Sequence, residues 1–436
     1  MKLTKKTIVS LCLVLAICLG IFAAYTCVNR NISFAVITEY DLYASSATNL
    51  MLNITRDDIS PIEIVEDEQN KTDEIMSFSF DILENSNLEE NILISPLSII
   101  SALGMTANAA NGETLSQMQE VFGSDIQSLN DYLYSYMTNL PNGETYKINL
   151  ANSIWLKENE VECSEEFLQT VKNYYEASLY EASFDASTIK DINNWVNDET
   201  DGMINDVISE IDDTTIMYLI NALSFDAQWN SMYDEYSLRD GEFTTETGIV
   251  QDVEFMCSDE YKLIELENAI GFVKNYDESK YSFVALLPDE NLSMQEFIES
   301  LDSNEVLAQL SEDNYQNIEV KIPKFSFDYS TELSDVFANL GMSDAFNSVN
   351  ANFSELSLLS DENDNIFISQ VIHKTTITVG EQGTQAGAVT AVILDAATAT
   401  APPEEIYEIY LDRPFLFMIV DNELNLPIFM GSLMEV

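Results

Sequence analysis

The chain has 436 residues, and its 75 acidic side chains against 18 Lys and Arg give a formal charge of -57. A field of that sign and size repels phosphate backbones and anionic lipid, which argues against nucleic acid as a partner and against heparin-like polyanions as cofactors. At 46% hydrophobic and 10% aromatic residues the chain nonetheless belongs with packed globular proteins that have ample core, which excludes a disordered polyanion.

At the N-terminus, Lys2, Lys5 and Lys6 precede Ile8–Tyr25, 18 residues without a charge. That length lies between a signal-peptide core and a short membrane span. No clean small-x-small cleavage site follows, because Phe22 and Tyr25 flank the adjacent Ala23 and Ala24. The lysines favour an N-terminus held inside and a body placed outside. Residues 1–27 are therefore read as a signal peptide or signal-anchor, with a membrane tether through residues 8–25. The protein is expected to be exported, either extracellular or anchored at the cell surface. Residues 28–70 read as an acidic linker, since "DDISPIEIVEDEQNKTDE" (57–74) is polar and has no sustained period. Three of the five cysteines, Cys12, Cys18 and Cys27, lie in or beside the leader. Cys163 and Cys257 then form no framework and no metal-spaced pair; one disulfide in an oxidising compartment stays open, with two independent thiols preferred.

From about residue 72 helical and strand patterns alternate to the end, which reads as one large α+β domain over 71–436. In "NILISPLSIISALGMTANAANGETLSQM" (91–118), a strand is followed by a helix with Ser95 as N-cap and Pro96 in the first helical position. Residues 97–109 are apolar or small nearly all round, so this helix should be buried at the centre and end at Asn111-Gly112. In "DINNWVNDETDGMI" (191–204), Ile192, Trp195 and Val196 share one helical face before an Asp-Gly stop. "YSFVALLPDE" (281–290) reads as a buried strand, and "RPFLFMIVDNELNLPIFMGSL" (413–433) as two strands across a polar turn. "DENDN" (361–365) mimics the start of a calcium loop, but Ile366 and Ile372 stand where glycine and glutamate are needed, so it reads as a solvated turn.

One stretch fits none of the usual classes. "GTQAGAVTAVILDAATATAPP" (383–403) holds a single charge, Asp395, in 21 residues. It has too little bulk for a core strand and is too apolar for an ordinary surface loop. If residues 384–394 alternate as a strand does, one face carries Thr384, Ala386, Ala388, Thr390, Val392 and Leu394, and the other Gln385, Gly387, Val389, Ala391 and Ile393. Neither face holds a charge or a proline, so the segment could slide between two strands without burying an ion or losing a ladder hydrogen bond.

Five collinear stretches resemble the serpin family and cover residue 72 to the C-terminus: "NILISPLSIISALGM", "LINALSFDAQW" (219–229), "VIHKTTITVGEQGTQAGAVTA" (371–391), "YLDRPFLFMI" (410–419) and "LPIFMGSL" (426–433). The resemblance implies the serpin fold: three β-sheets, about nine helices and an exposed C-terminal reactive loop over about 381–405. It implies a monomer that traps a serine protease covalently, as an acyl-enzyme, while the cut loop inserts into the central sheet; that mechanism is known for the family. About ten new backbone hydrogen bonds at roughly 0.5–1.5 kcal/mol each would rival a domain's whole stability of roughly 5–15 kcal/mol. A native state withholding them must be protected kinetically.

Counted along the family's spacing, the reactive bond falls between Ala397 and Thr398, or a residue or two on, at Thr398 or Ala399, because the stretch to "DRPF" is longer than in many members; small residues there suit elastase-like or subtilisin-like pockets. The hinge would comprise Glu381, Gly383, Thr384, Gln385, Ala386, Gly387, Ala388, Val389 and Thr390. Gln385 replaces the family's usual glutamate, and Gly387 interrupts its alanine run. Ser95, Ser98, Asn221 and His373 match the shutter, where the central strands part, and Trp229, Lys324 and Glu381 match the breach above it. No cofactor and no metal is implied. The chain's one histidine is assigned to the core and no G-x-S-x-G occurs, so an enzyme is not expected. The competing expectation is a non-inhibitory serpin-fold binding or storage protein.

Overall fold

Ser95 opens the central helix: its Oγ accepts from the Ser98 amide, and Pro96 occupies a first-turn position where no N–H donor is required. Every residue of that helix, Pro96–Ala107, is buried, as a helix without a polar face must be. Asn111-Gly112, expected to end it, instead opens the next helix, Gly112–Phe122. Asn111 Oδ1 accepts from the Gly112 amide, so the asparagine serves as an N-cap. The helix Ala186–Glu199 buries Ile192, Trp195 and Val196, and the chain leaves it through Gly202 at φ 82°.

The computed structural model describes residues 46–62, 69–204, 207–212, 215–358, 365–384 and 406–436. Its first sheet has seven strands in the order β1 (Thr48–Asn49), β5 (Ser178–Ala182), β3 (Tyr146–Lys157), β6 (Met217–Gln228), β15 (Gly383–Thr384), β14 (Gln370–Gly380) and β12 (Phe325–Glu332). The second runs β16 (Ile406–Tyr410), β11 (Tyr315–Pro323), β8 (Val250–Leu266), β9 (Ala269–Asn275), β10 (Tyr281–Pro288), β17 (Phe415–Asp421), β18 (Leu426–Leu433) and β2 (Ile92–Ile94), with β7 (Leu238–Thr244) on β8. The third pairs β13 (Leu356–Leu358) with β4 (Val161–Cys163). With nine α-helices among the described residues, this is the expected α+β architecture.

Strands β10, β17 and β18 are buried at every position, which is why their sequences are apolar runs broken only by Ser282, Gly431, Ser432 and the terminal Asp421. Burial along β14 alternates instead, as in a strand whose two faces meet different surroundings. The central helix lies against β3, β6 and β18, so it packs the inner face of the first sheet.

Part of the expected linker lies along the body. The Asp191 carboxylate accepts from Ser46 and from the Ala47 amide, β1 pairs with β5, and Met51 is buried. Arg56 pairs with Glu176 and covers the Tyr134 ring at 4.5 Å, while the Tyr134 hydroxyl donates to the Ile59 carbonyl. Single side chains and a two-residue strand order this stretch, and neither leaves a period in the sequence. No helix among the described residues is long and apolar enough to cross a membrane; the leader 1–27, including 8–25, and residues 361–364 of the solvated turn lie outside the described residues. Cys163 and Cys257 are free, and burial pushes the Cys163 thiol up to about 12.

Candidate functional site

β6 and β14 are parallel and pair directly from Tyr218↔Gln370 to Ala222↔Lys374. Beyond Lys374 their ladder stops. At the far end β15 takes the place between them, antiparallel to both, with Gly383↔Gln228 and Thr384↔Ala227 on one side and Gly383↔Gly380 and Thr384↔Val379 on the other. Leu223–Asp226 and Thr375–Thr378 therefore face a seam with no ladder across it, while β6 stays paired with β3 and β14 with β12. A Cβ on Gly383 would lie 1.9 Å from the Ala227 carbonyl oxygen, so only glycine fits at the entry. Gln385, Ala386, Gly387, Ala388, Val389, Thr390, Ala397 and Thr398 lie outside the described residues.

Below the seam the four shutter residues come together. The Ser95 amide donates to His373 Nε2 at 3.1 Å, so the ring proton sits on Nδ1, which donates to Asn221 Oδ1 at 2.8 Å. Burial pushes the His373 pKa down to about 3, and the imidazole is neutral. Ser98 joins through its amide on Ser95 Oγ. Asn221 Nδ2 and Ser98 Oγ have no hydrogen-bond partner, nor has Asn152 Oδ1, directly opposite Asn221 on β3. Asn152 went unnoticed in the sequence; its only signal there is a polar residue in a buried strand.

Above the seam, Lys324 Nζ reaches Glu381 at 2.6 Å and Glu254 at 2.9 Å. The Glu381 hydrogen bond raises the lysine's pKa, and the lysine lowers that of Glu381. These side chains are 33%, 37% and 41% exposed for Lys324, Glu381 and Glu254 respectively, so water screens the pairs. The firmer hold is on the backbone. Trp229 Nε1 donates to the Gly380 carbonyl at 2.8 Å, the Trp229 amide to Gln382 at 2.8 Å and the Tyr233 amide to Glu381 at 3.0 Å. Trp229 stacks on Tyr276 at 4.5 Å and 8°, and the Tyr276 hydroxyl shares a hydrogen bond with that of Thr384. Tyr233 and Tyr276 were missed because their partners lie more than a hundred residues away.

Three sheets with nine α-helices among the described residues, and parallel strands joined at one end and wedged apart at the other, fit the serpin fold that the sequence resembles. Comparisons with known proteins agree. The family model described as Serpin (serine protease inhibitor) matches residues 73–436. An uncharacterized serpin-like protein of Thermococcus kodakarensis is 30% identical, over 83% of this chain and 84% of its own. Human neuroserpin is 30% identical, over 80% of this chain and 86% of its own. The crystal structure of the thermophilic serpin tengpin in its native state superposes with a TM-score of 0.84 at 44% identity, covering 90% of this chain and 100% of the other. The chain belongs to the serpin family, whose members are in general inhibitors of proteases and not enzymes.

Proposed function

We propose that the protein is a suicide-type inhibitor of serine proteases that traps the acyl-enzyme by inserting its cleaved loop between β6 and β14. The observation that carries this reading is the β15 wedge. Thr384, first of the inward-facing set, is 2% exposed and already paired on both sides. Extending the same register by six residues would bring Thr390 opposite Asn221 and His373. Its hydroxyl would then arrive beside Asn221 Nδ2, a buried donor without a partner, and relieve the cost of that unmade bond.

The bond attacked is assigned to Ala397–Thr398, and the target to elastase-like or subtilisin-like enzymes with small primary pockets. The inhibitor acts as a monomer forming a covalent complex with its protease, and it is exported, free or tethered through residues 8–25. The test is to mix the protein with an elastase and with a subtilisin and run a denaturing gel. A stable band at the summed mass is expected, with the new N-terminus at Thr398. Cleavage with neither that band nor a gain in heat resistance would leave the non-inhibitory binding protein as the better reading.

A further inference from the structure

Beneath the loop's entry lies a charge that the expected breach residues do not account for. Lys274, on β9, has a side chain only 2% exposed, and its Nζ donates to Glu260 Oε1 at 2.7 Å. The same ammonium lies 5.4 Å from the centre of the Trp229 ring and 4.6 Å from that of Tyr233. Glu260 also accepts from Ser258 Oγ, which in turn shares a hydrogen bond with the Tyr233 hydroxyl. The ammonium thus closes a ring of contacts. Burial pulls Lys274 towards neutrality, but Tyr233 and the Glu260 carboxylate act the other way and the net direction is upward.

A buried ion pair is a poor source of stability, because desolvation offsets most of the attraction. What it supplies is position. Trp229 and Tyr233 are the two residues whose N–H groups hold three consecutive carbonyls, Gly380, Glu381 and Gln382, where the chain turns from β14 into β15. A cation is drawn by the quadrupoles of both ring faces at once, more strongly than a neutral side chain would be.

We infer that Lys274 is a positioning residue for loop insertion: its ammonium ties Trp229 to Tyr233, so that together they fix the turn at 380–382 and the register in which the loop enters the sheet. This rests on the reading that the loop inserts. The groups that set the charge balance around the ammonium are Glu260 on β8 and Tyr233.

The test compares the full chain with K274M/E260Q, a neutral pair of similar size, and with Lys274→Arg, which keeps a cation between the rings with Glu260 as its counter-charge. Each is cut in the loop with subtilisin, and the gain of heat resistance is followed in time. The double variant is expected to reach the same final heat resistance roughly tenfold more slowly, and to let more protease escape per molecule cut. Lys274→Arg should insert within about twofold of the parent rate, a rescue expected of any cation held between the rings; an arginine variant as slow as the double variant would overturn the role of the charge. Equal rates for the double variant and the parent would overturn the role of Lys274 alone. No gain of heat resistance in the cut parent would overturn the insertion reading and this role with it.

Discussion

The two ends of the seam are held by different physics. At the lower end, His373, Asn221 and Ser95 are buried, neutral and joined by direct hydrogen bonds. The upper end has half-exposed ion pairs and an aromatic stack, and β15 lies between β6 and β14. Resistance to further opening is thus concentrated below, where desolvated groups would lose partners, while the surface pairs above are screened and weak. In the proposed insertion, the upper end would set where the strand enters and the lower end whether it proceeds.

The sharpest way to break this contrast is at the entry. Thr384→Arg would place a charge where the hydroxyl now meets Tyr276, at a cost of several kcal/mol. It is expected to turn inhibitor into substrate, read on a denaturing gel as cleavage without a trapped complex. Unchanged trapping would show that β15 does not lead the insertion.

A somewhat smaller effect is expected from pH at the lower end. The folded pKa of His373, about 3, is below the ordinary histidine value of 6.5, so the unfolded chain binds a proton first as pH falls. The contribution of the neutral imidazole is complete above pH 6.5 and is lost progressively down to about pH 3, amounting to a few kcal/mol. Urea unfolding at pH 7 and pH 4.5 should show a shallower loss of stability in His373→Gln than in the parent. An equal slope in both would mean that the histidine does not titrate in this way. The smallest effect belongs to the surface pair: Glu381→Gln should change stability by less than about 1 kcal/mol in urea unfolding. A larger loss would mean that the ion pair, not the backbone contacts, holds the upper end.

Much of this was legible in the sequence, for local reasons. The apolar runs of β10, β17 and β18 and the Ser95-Pro96 start declare themselves within a few residues. The shutter and breach residues were found by resemblance, not by pattern. What escaped notice depends on contacts between distant strands: Lys274 on Trp229 and Tyr233, Tyr276 on Thr384, and Asn152 opposite Asn221. A lysine in "GFVKNY" has no mark that separates a buried ammonium from a solvated one. Residues 46–62 escaped for the opposite reason, since an acidic, aperiodic stretch can still be ordered by one pairing of two residues and one arginine.

The wedge at Gly383–Thr384 also has a consequence for timing. Pairing two strands ordinarily begins with a search, in which the first contacts must form before any others can reward them. In the proposed trapping reaction that nucleus would exist before the protease arrives, its alignment fixed by a glycine whose Cβ would meet the Ala227 carbonyl. Only elongation would remain once the loop is cut. The duration of the race with deacylation should therefore depend on how many residues must still zip past the histidine, and hardly at all on finding the way in.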